Sequence, residues 1–139
     1  MVRLMKNGDI DAVLNIWKAE NIRAHSFIPK EYWERSFDFV KGALPKAEVY
    51  VYEENGRISG FIGLDGSYIE GIFVDSEYHG KGIGTALLNK AKEIKGALIL
   101  SVYRKNANAV RFYENRGFVI ANEGIDEVTG ETEFEMVLK

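Results

Sequence analysis

Residues Ile69 to Leu88, IEGIFVDSEYHGKGIGTALL, decide the reading of this chain. An apolar stretch ending at Val74 reads as a strand, and it feeds a loop with glycines at 80, 82 and 84. From Gly84 onward Leu87, Leu88, Ala91 and Ile94 recur at helical spacing, so a helix follows the loop directly. Such a loop turns several backbone N–H groups toward one point, and the positive end of the helix dipole lies behind them. Glycines also let a ligand approach the main chain. The expectation is an anion site suited to a pyrophosphate, with His79 and Lys81 able to add charge-assisted bonds.

Two nucleotide-binding patterns fail on spacing. A P-loop needs GxxxxGK[ST], but Lys81 is followed by Gly82. A dinucleotide fingerprint needs GxGxxG/A, and counting from Gly80 and Gly82 reaches Thr85, from Gly82 and Gly84 Leu87.

Upstream, Val2 to Met5 reads as an edge strand, and Ile10, Val13, Leu14 and Trp17 mark one face of a first helix. A second helix starts near Pro29, carries Trp33, Phe37 and Val40 on one face, and is expected to end at Gly42 and Pro45. Alternating stretches Glu48 to Glu53, Ile58 to Leu64 and Tyr68 to Val74, with Asn55-Gly56 and Asp65-Gly66 between them, form a three-stranded meander. Downstream come a strand over Ala97 to Val102 and a short helix capped by Asn106 that stops at Gly117. Phe118 to Ala121 and Thr132 to Leu138 close the pattern as strands. The fold class is α+β with a mixed sheet.

Bulk composition sets limits. The chain has 139 residues, 46% hydrophobic and 28% charged, without low complexity, which is one domain spanning 1–139. No cysteine is present and only His25 and His79 can offer imidazole, so no metal site is expected. A net charge of −3 gives no bulk attraction to nucleic acid. No apolar run approaches the roughly 18 residues a membrane span needs, and the start lacks a signal-like apolar segment, so a cytoplasmic protein is expected.

The decisive stretch resembles the GNAT acetyltransferases. Their signature, Q/R-x-x-G-x-G/A after a strand ending in apolar-x-Val, is matched by His79-Gly80-Lys81-Gly82-Ile83-Gly84 after Ile72-Phe73-Val74, with His79 in place of Gln or Arg. A second family pattern, N-x-x-A-x-x-x-Y-x-x-x-G-F, is matched by Asn106, Ala109, Tyr113, Gly117 and Phe118. Small bacterial members also carry His-x-Phe and a Tyr-Trp pair, here His25-Ser26-Phe27 and Tyr32-Trp33.

This resemblance implies a GNAT-like, mostly antiparallel sheet of about seven strands, splayed between strands 4 and 5, with about four helices. It implies acetyl-CoA as co-substrate, bound by Ile72, Phe73, Val74, His79, Gly80, Lys81, Gly82, Ile83, Gly84, Thr85, Asn106 and Tyr113. A main-chain N–H near Val74 would stabilise the oxyanion, and Tyr113 would protonate the leaving thiolate. His25, Phe27, Tyr32 and Trp33 would line the acceptor side. Glu20 and the segment Asn122 to Glu131, with Glu123, Asp126, Glu127 and Glu131, suit a cationic acceptor; a solvated face explains them equally well.

The expected reaction is direct attack of a primary amine on acetyl-CoA in a ternary complex. The acceptor is a small amine or a protein amine, and the protein a monomer or homodimer. A lysine-like amine of pKa about 10.4 is neutral in only about one molecule in 10³ at pH 7, so a proton acceptor is needed. Relatives place a Glu where Ser101 stands, and serine cannot hold that proton. Strand alternation puts Tyr68, Glu70 and Ile72 on one face unless a bulge near Gly71 intervenes, which makes Glu70 the candidate base; His25 is the other. The alternative to an enzyme is a non-catalytic acetyl-CoA-binding regulator, against which the retention of Tyr113 weighs.

Overall fold

Alternating strands joined by glycine turns build the first half of the sheet. The computed structural model describes residues 1–139, and in it β1 (Val2–Leu4), β2 (Glu48–Glu54), β3 (Arg57–Asp65) and β4 (Tyr68–Val74) pair antiparallel in that order. At the β2–β3 turn Asn55 has φ 55° and Gly56 φ 78°, the two left-handed positions a type I′ hairpin requires. β5 (Leu98–Tyr103), β6 (Val119–Ile125) and β7 (Thr132–Leu138) complete the order β1-β2-β3-β4-β5-β7-β6. Only β4 and β5 run parallel.

Strand alternation gives each half-sheet two faces, and the helices divide between them. α1 (Ile10–Ala24) and α2 (Lys30–Ala43) cover one face, where Val13, Leu14, Val49, Val51 and Phe61 are buried together. α3 (Ile83–Lys95) and α4 (Ala107–Glu114) cover the other, against Ile62, Leu64, Ile69, Leu100 and Met136. Leu87 and Leu88 are fully buried on α3, each contributing about 1.5–3 kcal/mol, and they fix where the helix begins. A Cβ at Gly60 would lie 2.9 Å from the Phe73 carbonyl oxygen and 3.1 Å from Ile83 Cγ2, so glycine there lets the first turn of α3 rest on β3.

One irregularity opens the sheet. Gly63 pairs with Gly71 and Leu64 with Ile69, which leaves Glu70 as an extra residue on β4. A bulge of this kind bends its strand, and β4 accordingly pairs with β5 only at Tyr68–Ile99 and Ile69–Leu100. Beyond those positions the two strands diverge into a fork. The splay expected between the fourth and fifth strands is therefore present, and its local cause is the bulge.

Several element limits differ from expectation. α2 passes through Gly42 and ends at Ala43, because Pro45 in the following turn has no N–H to extend the ladder. β5 excludes Ala97 and includes Tyr103. α4 ends at Glu114, with the chain reversing at Gly117, φ 97°. β6 begins at Val119 and continues to Ile125, because its pairing with β7 carries on past an irregularity between Ile120 and Asn122. None of the helices is long and apolar enough to cross a membrane.

Candidate active site

Two clefts meet at the fork. The Asp75 N–H donates to the Ser59 carbonyl at 2.8 Å, and an antiparallel ladder alternates. Phe73, opposite Phe61, therefore faces β3 with its polar groups, whereas the N–H groups of Ile72 and Val74 point into the fork where β5 no longer pairs. A short turn over Ser76–Tyr78, capped by the Asp75 carboxylate accepting from the Glu77 N–H at 3.0 Å, then carries the chain to the glycine loop.

Gly80 and Gly82 stand at φ 78° and 80°, left-handed conformations that favour glycine, with no atom within 4 Å of where a Cβ would sit. α3 starts at Ile83, so consecutive backbone N–H groups and the helix dipole face open space. That space is a cleft of about 520 Å³ bounded by the fork, the loop and α4. Its lining includes Ile72, Phe73, Val74, His79, Gly80, Gly82, Ile83, Gly84, Thr85, Asn106 and Tyr113, all expected from the sequence. Lys81 is the exception: its ammonium lies 5.4 Å from the Tyr78 ring centre, outside the cleft lining.

His79 turns inward. Its Nε2 lies 2.7 Å from the Val74 carbonyl oxygen and 3.0 Å from Glu20 Oε1, both acceptors, so Nε2 carries a hydrogen and donates. Glu20 is only 6% exposed and also accepts from Arg23 Nη2 at 2.7 Å and Nε at 3.1 Å. Placing Glu20 among residues for a cationic acceptor is thereby corrected. It is a buried carboxylate beside the glycine loop, held by its own neighbours. Arg116, across the cleft, donates to Thr85 Oγ1 at 2.6 Å and lies over the Phe112 ring at 3.8 Å.

α4 joins the two clefts. Asn106 caps it, with Oδ1 accepting from the Ala109 N–H at 3.3 Å, while its Nδ2 donates to His25 Nε2 at 3.3 Å. His25 Nδ1 in turn donates to the Asn21 carbonyl at 3.1 Å. An amide donor on one ring nitrogen and a carbonyl acceptor on the other select the neutral tautomer with hydrogen on Nδ1. Burial, partly offset by the Asn21 bond, lowers the His25 pKa in the same sense. Tyr113 is 7% exposed, packed edge-on against Phe112 and Phe118, and lines both clefts. Burial raises its pKa above the ordinary phenol value, so it is protonated throughout the neutral range.

The second cleft, about 280 Å³, is lined by Trp17, Trp33, Tyr68, Glu70, Ser101, Tyr103 and Glu133 among others. It meets the first at His25, Ile72, Phe73, Asn106, Ala109 and Tyr113. Glu70 and Ser101 follow the last paired residues Ile69 and Leu100, so they flank the fork. The bulge breaks the expected parity. Ile72 packs on the α3 face with Ile69, while a Cβ at Gly63 would meet Glu70 Cβ at 3.6 Å on the opposite, α1 face. Burial, with Asp65 adding repulsion, raises the Glu70 pKa; burial and Asp126 do the same to Glu133.

His25 stacks on Trp33 with ring centres 5.2 Å apart and meets Phe27 and Tyr103 edge-on. Phe27 and Tyr32 lie behind this wall and line neither of the two clefts, Tyr32 packing edge-on against Trp33. The Trp33 indole N–H is buried without an acceptor in the chain. Of the acidic segment, Glu123 lies opposite Phe134 and so on the α4 face, Asp126 accepts from the Tyr103 hydroxyl at 2.7 Å, and Glu131 pairs with Lys105 at 3.2 Å.

Sequence reading missed Arg23, Arg116, Tyr103 and Glu133. Tyr103 was within reach, since it follows Ser101 by one strand period. Glu133 needs the Tyr103–Glu133 register, and Arg116 needs its contact with Thr85, both set by the fold.

Comparison with known proteins gives a consistent result. The family model described as an acetyltransferase (GNAT) domain matches residues 45–120. Peptidyl-lysine N-acetyltransferase YiaC of Escherichia coli is 32% identical over 88% of this chain and 85% of its own length. Peptidyl-lysine N-acetyltransferase YjaB of the same organism is 28% identical over 96% of this chain and 86% of its own. The solution structure of apo YjaB superposes with a TM-score of 0.88 at 25% identity, covering 99% of this chain and 95% of that one. A crystal structure titled as a putative streptothricin acetyltransferase from Bacillus anthracis in complex with acetyl coenzyme A matches 66% of this chain and 61% of that chain. It is 28% identical, with a TM-score of 0.61.

Proposed function

This chain belongs to the GNAT acetyltransferase family, and on that premise we propose that it moves an acetyl group from acetyl-CoA to the ε-amine of a polypeptide lysine by direct attack. The observation that carries the reading is the fork itself, where unpaired N–H groups of β4, the Tyr113 hydroxyl and two confluent clefts meet. The acceptor class rests on the names of YiaC and YjaB and on carboxylates Glu70 and Glu133 beside the aromatic wall.

The residues fit acetyl-CoA on their own chemistry. Gly80 and Gly82 leave open space above a helix N-terminus for the pyrophosphate. The edge of β4 would accept the pantetheine arm much as it would a further strand. Acetyl-CoA supplies the activated acetyl thioester.

The chain's own groups do the rest. Glu70 takes a proton from the acceptor ammonium, directly or through one water at Ser101, freeing the lone pair that attacks, and its raised pKa brings it closer to the task than an ordinary carboxylate. The amine nitrogen bonds to the acetyl carbon as the carbon–sulfur bond breaks, and the Val74 N–H donates to the acetyl oxygen as it gains charge. Tyr113 gives its proton to the departing sulfur, and the second proton, shed by the acylated nitrogen as the neutral amide forms, restores the phenol. Neutral His25, tied to Asn106, orients the acceptor from the aromatic wall.

The test is release of free CoA from acetyl-CoA against a panel of lysine peptides, protein N-termini, polyamines and aminoglycosides. Turnover concentrated on the lysine peptides is expected. Turnover only on small amines would move the acceptor class, and binding without turnover on any amine would make the chain a sensor.

A further inference from the structure

The glycine loop brings almost no positive side chain to the anion it would hold. His79 is committed inward to Val74 and Glu20, and Lys81 lies over Tyr78. Two cations line this cleft from other elements: Arg116, bonded to Thr85 and laid over Phe112, and Arg23. Arg23, in the last turn of α1, lines the cleft with Gly80 and Gly82, and its Nη2 lies 3.5 Å from His79 Nε2. Both atoms are donors, so this is proximity to the loop and not a bond between them.

The way Arg23 is held is informative. Its Nε and Nη2 both donate to Glu20 Oε1, which leaves Nη1 without a partner in the chain. The Arg23 side chain is 50% exposed and the Glu20 side chain 7%, so the pair presents its cation to the cleft and keeps its carboxylate behind. A buried carboxylate beside an anion-binding loop would repel the ligand unless such a cation stood in front of it. Anchoring two nitrogens also removes rotamer freedom before any ligand arrives, which lowers the entropic cost of using the third.

We propose that Arg23 is a pyrophosphate-binding residue of this enzyme, supplied from α1 to the glycine loop, with Glu20 and His79 as the residues that position it. The proposal rests on the acetyl-CoA reading above and adds a group outside both sequence motifs. Guanidinium bonds to phosphate oxygens are charge-assisted, and losing one costs roughly tenfold or more in affinity.

Affinities for CoA and for 3′-dephospho-CoA, measured by calorimetry, test it with the wild-type chain, Arg23→Gln, Arg23→Lys and Glu20→Gln. Arg23→Gln is expected to weaken both ligands by the same factor, about 10-fold or more, and to make the weakening of CoA binding by added salt shallower. Arg23→Lys recovers part of the loss, since it keeps the charge but not the fork of donors. Glu20→Gln gives a smaller loss, because Arg23 stays charged but is held less firmly. An Arg23→Gln protein that binds CoA within twofold of wild type overturns the assignment. So does a loss confined to CoA and absent for 3′-dephospho-CoA, which would give Arg23 to the 3′-phosphate. Failure of the wild-type chain to bind either ligand would instead defeat the acetyl-CoA reading on which the proposal stands.

Discussion

The two clefts that meet at the fork are built in different ways. Half of the first cleft's lining comes from one continuous stretch, Ile72 to Thr85, in which the strand edge, two left-handed glycines and a helix start follow one another, and the rest comes mainly from α1 and α4. The second cleft draws its lining from α1, α2, β4, β5 and β7, bringing together Trp17, Trp33, Glu70, Ser101 and Glu133. A backbone site depends on conformation and so tolerates almost any side chain that leaves φ unchanged. A side-chain site depends on which residues the fold brings together, and can change its ligand without changing its shape. One half thus suits a ligand common to a family, and the other a ligand particular to its member.

That contrast can be broken at Tyr113, one of the residues shared by both clefts. Tyr113→Phe removes only the phenolic proton from a buried ring, so kcat is expected to fall by about 10³ while acetyl-CoA binding stays nearly unchanged. Stopped-flow detection of free CoA with the preferred amine checks this. An unchanged kcat, with chemistry rate-limiting, would make Tyr113 a packing residue of both walls.

On the cofactor side the sensitive feature is φ rather than chemistry. Gly82→Val must either strain the left-handed position or move the loop, and its branched side chain fills the open space above α3. Acetyl-CoA at about 100 times Kd stabilises a native state by about 2.7 kcal/mol, and the variant is expected to lose that thermal shift. Retention of the full shift would mean that the phosphates are held elsewhere.

On the acceptor side the sensitive feature is charge. Glu70→Gln keeps the shape and removes the base, and is expected to cost roughly 10 to 10² in kcat/KM, with water at Ser101 retaining part of the function. A base works only when deprotonated, so kcat/KM rises with pH through its pKa. Because burial and Asp65 raise the Glu70 pKa, that acidic limb should lie above the ordinary carboxylate range, and Glu70→Gln should abolish it. A variant with the parent limb would hand the role to His25, whose lowered pKa places its own limb below the ordinary histidine value.

How much of this could be read in advance follows the same division. Local physics settled the meander, the I′ turn at Asn55-Gly56, the cap at Asn106, the loop and the residues from Ile72 to Thr85. In each case the signal and the structure lie within a few residues of one another. Lys81 stands apart even there, since its side chain lies over Tyr78 and outside the cleft lining. Glu70 was recognisable as a candidate, but its face depended on one extra residue in a ladder, and a bulge is visible only when the partner strand is in place.

The sequence by itself determined a mixed sheet with a glycine loop running into a helix and a tyrosine on a later, Asn-capped helix, because backbone conformation and hydrophobic period are local properties. Only the tertiary structure decided that Glu20 is buried behind the loop and that Arg23 stands in front of it. It alone decided that His25 is held neutral between Asn21 and Asn106, and that Glu133 joins Glu70 in one cleft. Those are meetings of residues from distant elements, and burial, charge pairing and tautomer all depend on which neighbour arrives.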